Sequence, residues 1–205
     1  MMITEIAAVT GARYRVTLDG EIKFALYKGE LNRFHMKQGG ELPEEDYQKI
    51  LREILPGRAR MRCMNLLKAR DYTRKQLEDK LCQGDYPAKI IEDAVAWVES
   101  YGYVDDERYT RNYIEYHMQT KSRRRIENDL RQKGIHRELI GRIFDELLED
   151  GVEIDEIAMI RKFFLKKNFH SNTATDKERQ KMYGFLYRKG FQPDAINRAL
   201  LLDIT

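Results

Sequence analysis

Cysteine is scarce in this sequence, with only 2 among 205 residues. Cys63 and Cys82 do not form a CxxC pair, and the 4 histidines are scattered singly along the chain. This usage excludes a disulfide scaffold and gives no zinc-ligand spacing. We therefore predict free structural thiols, no metal site and no cofactor.

Long apolar runs are also absent, since no stretch approaches the roughly 20 residues that cross a bilayer. The opening MMITEIAAV lacks the basic flank and the apolar block of a signal peptide. Apolar residues still make up 42% of the chain and aromatic residues 10%, which is too much for a disordered tail. We expect a folded, cytoplasmic protein without membrane association.

Enzyme signatures are missing as well. The sequence contains no GxxxxGK[ST], GxGxxG, HExxH or GxSxG motif, and no histidine is spaced to pair with a nucleophile. Carboxylate pairs such as Asp105-Asp106 lie where a helix is predicted to begin, which favours capping over catalysis. The sequence predicts a protein that is not an enzyme.

Charge is arranged in blocks, although the net charge is only +3. Residues 58–75 carry 7 basic and 1 acidic side chain, residues 121–137 carry 7 and 2, and residues 161–189 carry 9 and 2. Between the last two blocks, residues 138–156 carry 8 acidic and 1 basic side chain. Such alternation suits a polyanion, or a protein surface that carries both signs.

The chain repeats itself after residue 57. Adding 49 to a position carries Leu77 to Ile126 and Leu81 to Leu130, and adding 56 to these carries them to Met182 and Leu186. Apolar positions fall on apolar positions throughout, with about seven extra residues near 168–175 in the third copy. A period of this length is typical of tandem structural units.

Each copy has the spacing of three short helices. Predicted capping boxes begin at Thr73 and Thr175. Gly84, Gly134 and Gly190 stand where a second helix should end in a left-handed residue, and Pro87 and Pro193 should open the next helix. The predicted helices are 57–70, 73–83 and 87–100, then 105–119, 122–133 and 136–149, then 154–168, 175–189 and 193–203.

Residues before 55 differ from the repeats. Three β-branched and aromatic segments with turns at Thr10-Gly11 and Asp19-Gly20 predict a small antiparallel meander. A short helix at 30–35, a break at Gly39-Gly40 and a helix from Pro43 to Leu55 should follow.

The predicted fold class is therefore mainly α. We expect tandem three-helix repeats forming an elongated, curved array, because a single unit buries only a small core, together with a small N-terminal β-rich segment. The expected domains are the meander plus helix at 1–55 and three-helix repeats at 56–104, 105–151 and 152–205.

Positive charge gathers where the first helix of a repeat meets the second. The third helices are acidic and lack base-reading side chains, which argues against helix-turn-helix DNA reading. Contact with a phosphate backbone or an acidic protein surface fits better. The candidate binding residues are Arg74, Lys75, Lys121, Arg123, Arg124, Arg125, Lys166 and Lys167.

Tyrosines crowd the join between the first two repeats. Tyr109, Tyr113 and Tyr116 follow one another at helical spacing. This spacing favours core packing over base stacking for the three rings.

Several strings together resemble the RecX family of regulators of the RecA recombinase. They are LLKARDYT at 66–73, YGYVDDERYTRNY at 101–113, IENDLRQKG at 126–134 and YGFLYRKGF at 183–191, and the similarity covers 57–203. The resemblance implies a non-enzymatic bacterial cytoplasmic protein that lies in the helical groove of the RecA–DNA filament. It further implies inhibition of filament growth, ATP hydrolysis, strand exchange and coprotease activity.

The expected partners are thus the RecA filament and the backbone of single- or double-stranded DNA, and we expect a monomer. One alternative is a sequence-nonspecific DNA-binding protein that affects RecA only by competing for DNA. A positive modulator or scaffold is another, because the sequence does not decide the sign of regulation.

Overall fold

The computed structural model describes residues 1–152 and 154–202. These residues form two compact units, Met1–Asp105 and Asp106–Thr205. Helices predominate, and one small sheet lies near the amino terminus. The predicted mainly α fold with a β-rich start is confirmed; the division at 55, 104 and 151 and the curvature of the array stay predictions.

The first unit begins with the predicted meander. Strands β1 (Ile3–Thr10), β2 (Arg13–Leu18) and β3 (Ile22–Tyr27) pair antiparallel in the order β1-β2-β3. Asp19 and Gly20 both have positive φ angles, as the predicted Asp-Gly hairpin turn requires. The short helix α1 spans Lys28–Arg33.

One continuous helical run follows where the sequence predicts two separate helices. Helix α2 (Glu44–Lys49) passes through a π-helical turn at Ile50–Ile54 into α3 (Leu55–Leu67). The predicted break between a helix that ends at Leu55 and one that begins at 57 is therefore wrong. Pro56 lies inside this run, and the wider π turn directly before it accommodates the proline ring and the missing N–H.

Helices α4 (Arg74–Cys82) and α5 (Ala88–Ser100) complete the first repeat. Buried side chains of the sheet, such as Val16 and Phe24, belong to the same core cluster as Leu77 and Val95 of these helices. The amino-terminal segment is thus packed directly on the first repeat. Cys63 is buried in this core, where burial raises the pKa of its thiol to about 11, and Cys82 is exposed; both are free.

The second unit holds the remaining two repeats. The helices are α6 (Asp106–His117), α7 (Arg123–Gln132) and α8 (Arg137–Glu149), then α9 (Glu156–Lys166), α10 (Asp176–Arg188) and α11 (Pro193–Leu202). The extra residues of the third copy form the loop between α9 and α10. Each repeat has its own core cluster. The predicted ends of the last helix and last repeat, 203 and 205, lie outside the described residues.

The repeat register is confirmed by burial. Leu77, Ile126 and Met182 are all buried, and so are their i+4 partners Leu81, Leu130 and Leu186. These pairs lie on one face of α4, α7 and α10, where they seal each bundle. The predicted capping boxes at Thr73 and Thr175 are also present, because each threonine side chain accepts the backbone N–H of the third helical residue.

The turn after each second helix differs from prediction in the first repeat. Gly134 and Gly190 adopt the predicted left-handed conformation, with φ of 86° and 92°, but in the first repeat Asp85 does so and Gly84 does not. Asp85 is the residue that the 49-residue shift relates to Gly134, and aspartate tolerates this conformation better than most residues. Gly84 is needed for a different reason: an added Cβ would lie 2.9 Å from the Leu81 carbonyl and 3.0 Å from the Tyr86 ring.

This turn is a docking point in both units. In the first unit, Arg15 of β2 binds the Asp85 carboxylate through two hydrogen bonds of 2.9 and 3.0 Å, and Arg13 donates to the Gly84 carbonyl. The sheet is thereby fixed to the first repeat through a bidentate ion pair.

In the second unit, the same turn of the last repeat contacts the start of α7. Ser122 donates from its hydroxyl to the Lys189 carbonyl at 3.2 Å. Glu156 accepts the backbone N–H groups of Arg123 at 3.1 Å and Gln192 at 3.4 Å, so one carboxylate holds the amino-terminal ends of α7 and α11. The second and third repeats are therefore joined by polar contacts as well as apolar ones.

Gly190→Ala should destabilise this joint. The new Cβ would lie 2.7 Å from Ser122 Oγ at a φ of +92°, so steric overlap adds to backbone strain. We expect a loss of about 3 kcal/mol in unfolding free energy, measured by urea denaturation.

Gly151→Ala is the matched control. Its φ is +78°, but nothing lies within 4 Å of the added Cβ, so only strain of about 1 kcal/mol is expected. Equal losses in the two glycine variants would contradict a close contact at Gly190.

Candidate functional site

The structure places all eight candidate cations at or beside the junctions of first and second helices, as predicted, but in different electrostatic environments. Arg74 and Lys75 begin α4 in the first unit, and the other six belong to the second unit. Five of the eight form ion pairs with carboxylates of their own unit: Arg74, Lys75, Lys121, Arg123 and Arg125. Arg124, Lys166 and Lys167 form none with the described residues.

The two cations of the first unit are neutralised on their own surface. Arg74 pairs with Glu78 at 3.0 Å and also with Glu99 of α5, and Lys75 pairs with Asp79 at 2.9 Å. The Arg74–Glu99 pair connects α4 to the third helix of the repeat. Its main role in the structure is therefore to hold helices together.

Lys121 lies at the centre of a polar network in the second unit. Its ammonium group donates to Asp129 Oδ2 and to the Tyr113 hydroxyl, both at 2.9 Å. Asp129 is almost buried and also pairs with Arg125 at 3.0 Å. The network joins α6 to α7, so Lys121 is a structural residue.

Charge and burial oppose one another in this network. Burial raises the pKa of Asp129, but the hydrogen bond and charge of Lys121 outweigh burial and hold the pKa below its usual value. Burial likewise lowers the pKa of Lys121, and its bonds to Tyr113 and Asp129 raise the pKa above the usual value. Both groups are therefore charged at neutral pH.

Arg123 is also engaged within its repeat. It pairs with Glu127 at 2.9 Å, and its guanidinium carbon lies 4.5 Å from the centre of the Phe144 ring. Arg124, the next residue, is exposed and stacks over Tyr187 of α10 at 5.4 Å. Of the three consecutive arginines, Arg124 is thus the one whose charge no carboxylate offsets.

Two clefts on either side of Phe185 and Arg188 collect further cations. One, of about 450 Å³, is lined by Lys121, Arg125 and Lys189, and the other, of about 560 Å³, by Lys166, Lys167 and Lys181. Both share Phe185 and Arg188 as lining residues. This surface, which we call the α10 basic surface, brings together candidates from 121–125 and 166–167.

Sequence reasoning missed several members of this surface. Lys181, Arg188 and Lys189 fall in the basic block 161–189 but follow the helix junction on which the prediction concentrated. Spacing along α10 could have suggested them, because 181 and 188 are seven residues apart and lie on one helix face.

A separate cleft of about 500 Å³ lies between α7 and α8. Its cationic lining residues are Arg123, Arg124, Arg131 and Arg137, of which the last two were not predicted. Glu127 is the acidic residue that lines it. We call it the arginine cleft.

The acidic block 138–156 is partly used inside the molecule. Glu146 pairs with Arg111 and Arg142, and Glu156 holds the joint between repeats. Glu138, Asp145, Glu149 and Asp150 remain exposed. Glu153 lies outside the described residues.

The tyrosines divide into buried and exposed groups. Tyr109 and Tyr113 pack against the core of the second repeat, as predicted, but Tyr116 is 80% exposed and the core prediction is wrong for it. It falls on the solvent side of α6, since Ile114 occupies the inward position. Tyr101 and Tyr103 are also exposed and stack with ring centres 6.2 Å apart.

Similarity to known protein families identifies the family of this chain. Models of the first, second and third three-helix domains of RecX match residues 59–97, 105–143 and 154–200 in that order. The chain belongs to the RecX family. The resemblance read from the sequence is thereby confirmed, and RecX proteins are a family of regulatory proteins.

Full-length relatives extend the match beyond the repeats. "Regulatory protein RecX" of Caldanaerobacter subterraneus subsp. tengcongensis is 31% identical over 204 residues, which is 98% of this chain and 100% of the relative. The protein of the same name from Clostridioides difficile is 29% identical, over 92% of this chain and 88% of its own.

Solved RecX structures share the fold. A crystal structure of regulatory protein RecX aligns with a TM-score of 0.60 at 24% identity, covering 96% of this chain and 97% of that chain. The RecX structure from Lactobacillus salivarius aligns with a TM-score of 0.59 at 21% identity, covering 72% and 95%. Among residues 1–152 and 154–202, no helix combines the length and apolarity needed to cross a membrane.

Asp129→Asn should destabilise the second unit. The neutral amide cannot balance Lys121 and Arg125, so we expect a loss of about 2 kcal/mol at pH 7, measured by urea denaturation. Because the folded pKa of Asp129 is below its usual value, this stabilisation is present above about pH 4 and is lost as pH falls further.

The difference between the wild type and Asp129→Asn should therefore shrink as the pH falls below about 4. Asp145→Asn, at an exposed carboxylate of α8, is the control and should change stability little over the same pH range. A difference that stays constant with pH would show that charge is not the cause.

Proposed function

We propose that this protein regulates RecA, most directly as an inhibitor that binds along the RecA–DNA filament and limits filament growth, ATP hydrolysis, strand exchange and coprotease activity. The single observation that carries the proposal is the match of all three RecX three-helix domains, in order, along this chain. The site we propose is a binding surface, and the protein acts without catalysing a reaction.

Repetition supports a filament as the target. A filament presents the same surface at regular intervals, and linked units that each bind weakly gain affinity by avidity. The shared burial of Leu81, Leu130 and Leu186 shows that the three repeats use the same helical framework, so this chain carries three linked units of one kind.

The predicted binding residues are not equal candidates. Arg124, Lys166 and Lys167 are exposed and form no ion pair with the described residues, so no internal carboxylate competes with a partner for their charge. Arg124 and Lys167 do lie over the rings of Tyr187 and Phe185. Lys121 and Arg74 hold helices together. We propose the first three as direct contacts with DNA backbone or an acidic filament surface, and Arg123 and Arg125 as contributors to the positive field of the second unit. Lys75 would make the corresponding contribution on the first unit.

The proposal also assigns a role to the acidic block 138–156. The exposed carboxylates Glu138, Asp145, Glu149 and Asp150 carry the part of the acidic block that internal ion pairs do not use. We propose that they face a basic surface of RecA, which would fix the orientation of binding.

A second candidate function is nonspecific DNA binding, with effects on RecA that come only from competition for DNA. The observation that favours it is the α10 basic surface, where seven cations line two adjoining clefts and Glu178 is the acidic lining residue. Binding of this kind weakens steeply with salt and needs no RecA.

The deciding experiment is the DNA-dependent ATP hydrolysis of RecA on preformed filaments. This protein is titrated well below one copy per RecA subunit, at a salt concentration where its own DNA binding is negligible. Inhibition at these ratios is expected, because a bound regulator acts on the filament itself. An effect that begins only when the protein exceeds the DNA sites would replace the filament proposal with competition.

Charge reversal on α9 and the residue that follows it tests the contacts. Lys166→Glu/Lys167→Glu should raise the concentration needed for inhibition about tenfold, the equivalent of about 1.4 kcal/mol. Arg161→Glu/Lys162→Glu is the matched control, since it changes charge equally at exposed positions of the same helix outside these clefts. Equal weakening by both variants would assign the effect to net charge alone.

A further inference from the structure

The arginine cleft carries charge that the protein does not neutralise. Arg124, Arg131 and Arg137 line it and pair with no carboxylate of the described residues, and Glu127 is already paired with Arg123 at 2.9 Å. Like charges held near one another on two adjoining helices repel. An anionic ligand in the cleft would relieve this repulsion.

Gly141 provides an independent observation on the same cleft. It lies in the interior of α8, where glycine is about 1 kcal/mol less favourable than alanine. Packing does not require it, because nothing lies within 4 Å of an added Cβ. The absent side chain instead leaves the wall of the cleft open.

The start of α8 adds partial positive charge. His136 occupies the N-cap position but its side chain makes no capping hydrogen bond, and Arg137 follows as the first helical residue. The first backbone N–H groups of a 13-residue helix therefore lack a side-chain acceptor at the cap. Arg137 lines the cleft, so the positive end of the α8 dipole adds to the charge of the three guanidinium groups there.

The lining favours phosphate over a carboxylate-bearing peptide. A tetrahedral phosphate offers more oxygens than a carboxylate to guanidinium forks that approach from two helices. Ile140 is the one large apolar residue that lines the cleft within the described chain, so peptide side chains find no anchor and bases find no aromatic ring.

We infer that the arginine cleft is a phosphate-binding site, which holds phosphate groups of a nucleic-acid backbone or a nucleotide through Arg124, Arg131 and Arg137. Since it assigns a ligand class to part of the surface proposed above, the inference rests on the proposed function. Its test contains no RecA, so failure here is distinguishable from failure of the ATP hydrolysis experiment.

The experiment is isothermal titration with two phosphate probes, sodium pyrophosphate and a 15-nucleotide oligothymidylate, and with polyglutamate as a carboxylate control, all at constant ionic strength. Arg131→Glu/Arg137→Glu should weaken binding at least tenfold, and Arg161→Glu/Lys162→Glu, with the same change in charge elsewhere in this unit, should leave it nearly unchanged. Binding of pyrophosphate identifies free or nucleotide phosphate as sufficient, and binding of the oligonucleotide alone identifies a backbone; both support the site.

Gly141→Leu provides a second variant that keeps every charge. Leucine should stabilise α8 and fill the cleft, so a higher thermal midpoint together with weaker probe binding is expected. The inference is overturned if neither probe binds, if binding survives in both cleft variants, or if polyglutamate binds there and the phosphate probes do not.

Discussion

A bundle of three short helices buries too little apolar surface to be stable alone, and the turn that ends its second helix is where two of these bundles gain a neighbour. In the first unit the neighbour is a β-sheet, held by Arg15 on Asp85. In the second unit it is another repeat, held by Ser122 against Lys189 and Gly190. The left-handed backbone at this turn leaves carbonyl groups free to accept hydrogen bonds from the neighbouring element and lets that element come close. The packing of the rest of each unit depends on this contact.

Because each bundle has a small apolar core, ion pairs add to its stability. Most of the paired cations at the helix junctions bind a carboxylate one turn further along the same helix, as Arg125 binds Asp129. Two contacts connect helices: Arg74 pairs with Glu99 of α5, and Lys121 bonds both Asp129 of α7 and the Tyr113 hydroxyl of α6. The cations left over, Arg124, Lys166 and Lys167 among them, form no ion pair with the described residues and are therefore the ones proposed above to contact a partner. The basic residues at the helix junctions therefore fall into two groups. Those with an internal carboxylate within reach stabilise the fold, and those without one are the proposed binding residues.

The glycines also differ in the reason for the missing side chain. Gly190 and Gly84 are required by contacts inside the protein, because an added Cβ would meet Ser122 in one case and Leu81 in the other. Gly141 meets nothing, and the space it leaves belongs to a cleft.

The sequence by itself determined the repeat, the helices, the meander and the family. These follow from local periodicity, capping residues and distinctive strings, all of which are short-range properties of the chain. It misplaced the left-handed residue at Gly84, since a glycine and an aspartate stand side by side and only the fit of Tyr86 and Arg15 distinguishes them.

Tertiary structure alone decided which cations are paired and which clefts they line. Arg74 and Glu99 are 25 residues apart, and Arg124 lies in one repeat and Tyr187 in the next. Contacts over such separations depend on how helices pack, which sequence spacing does not encode. For the same reason Arg131, Arg137 and Gly141 acquire a common role only once α7 and α8 lie side by side.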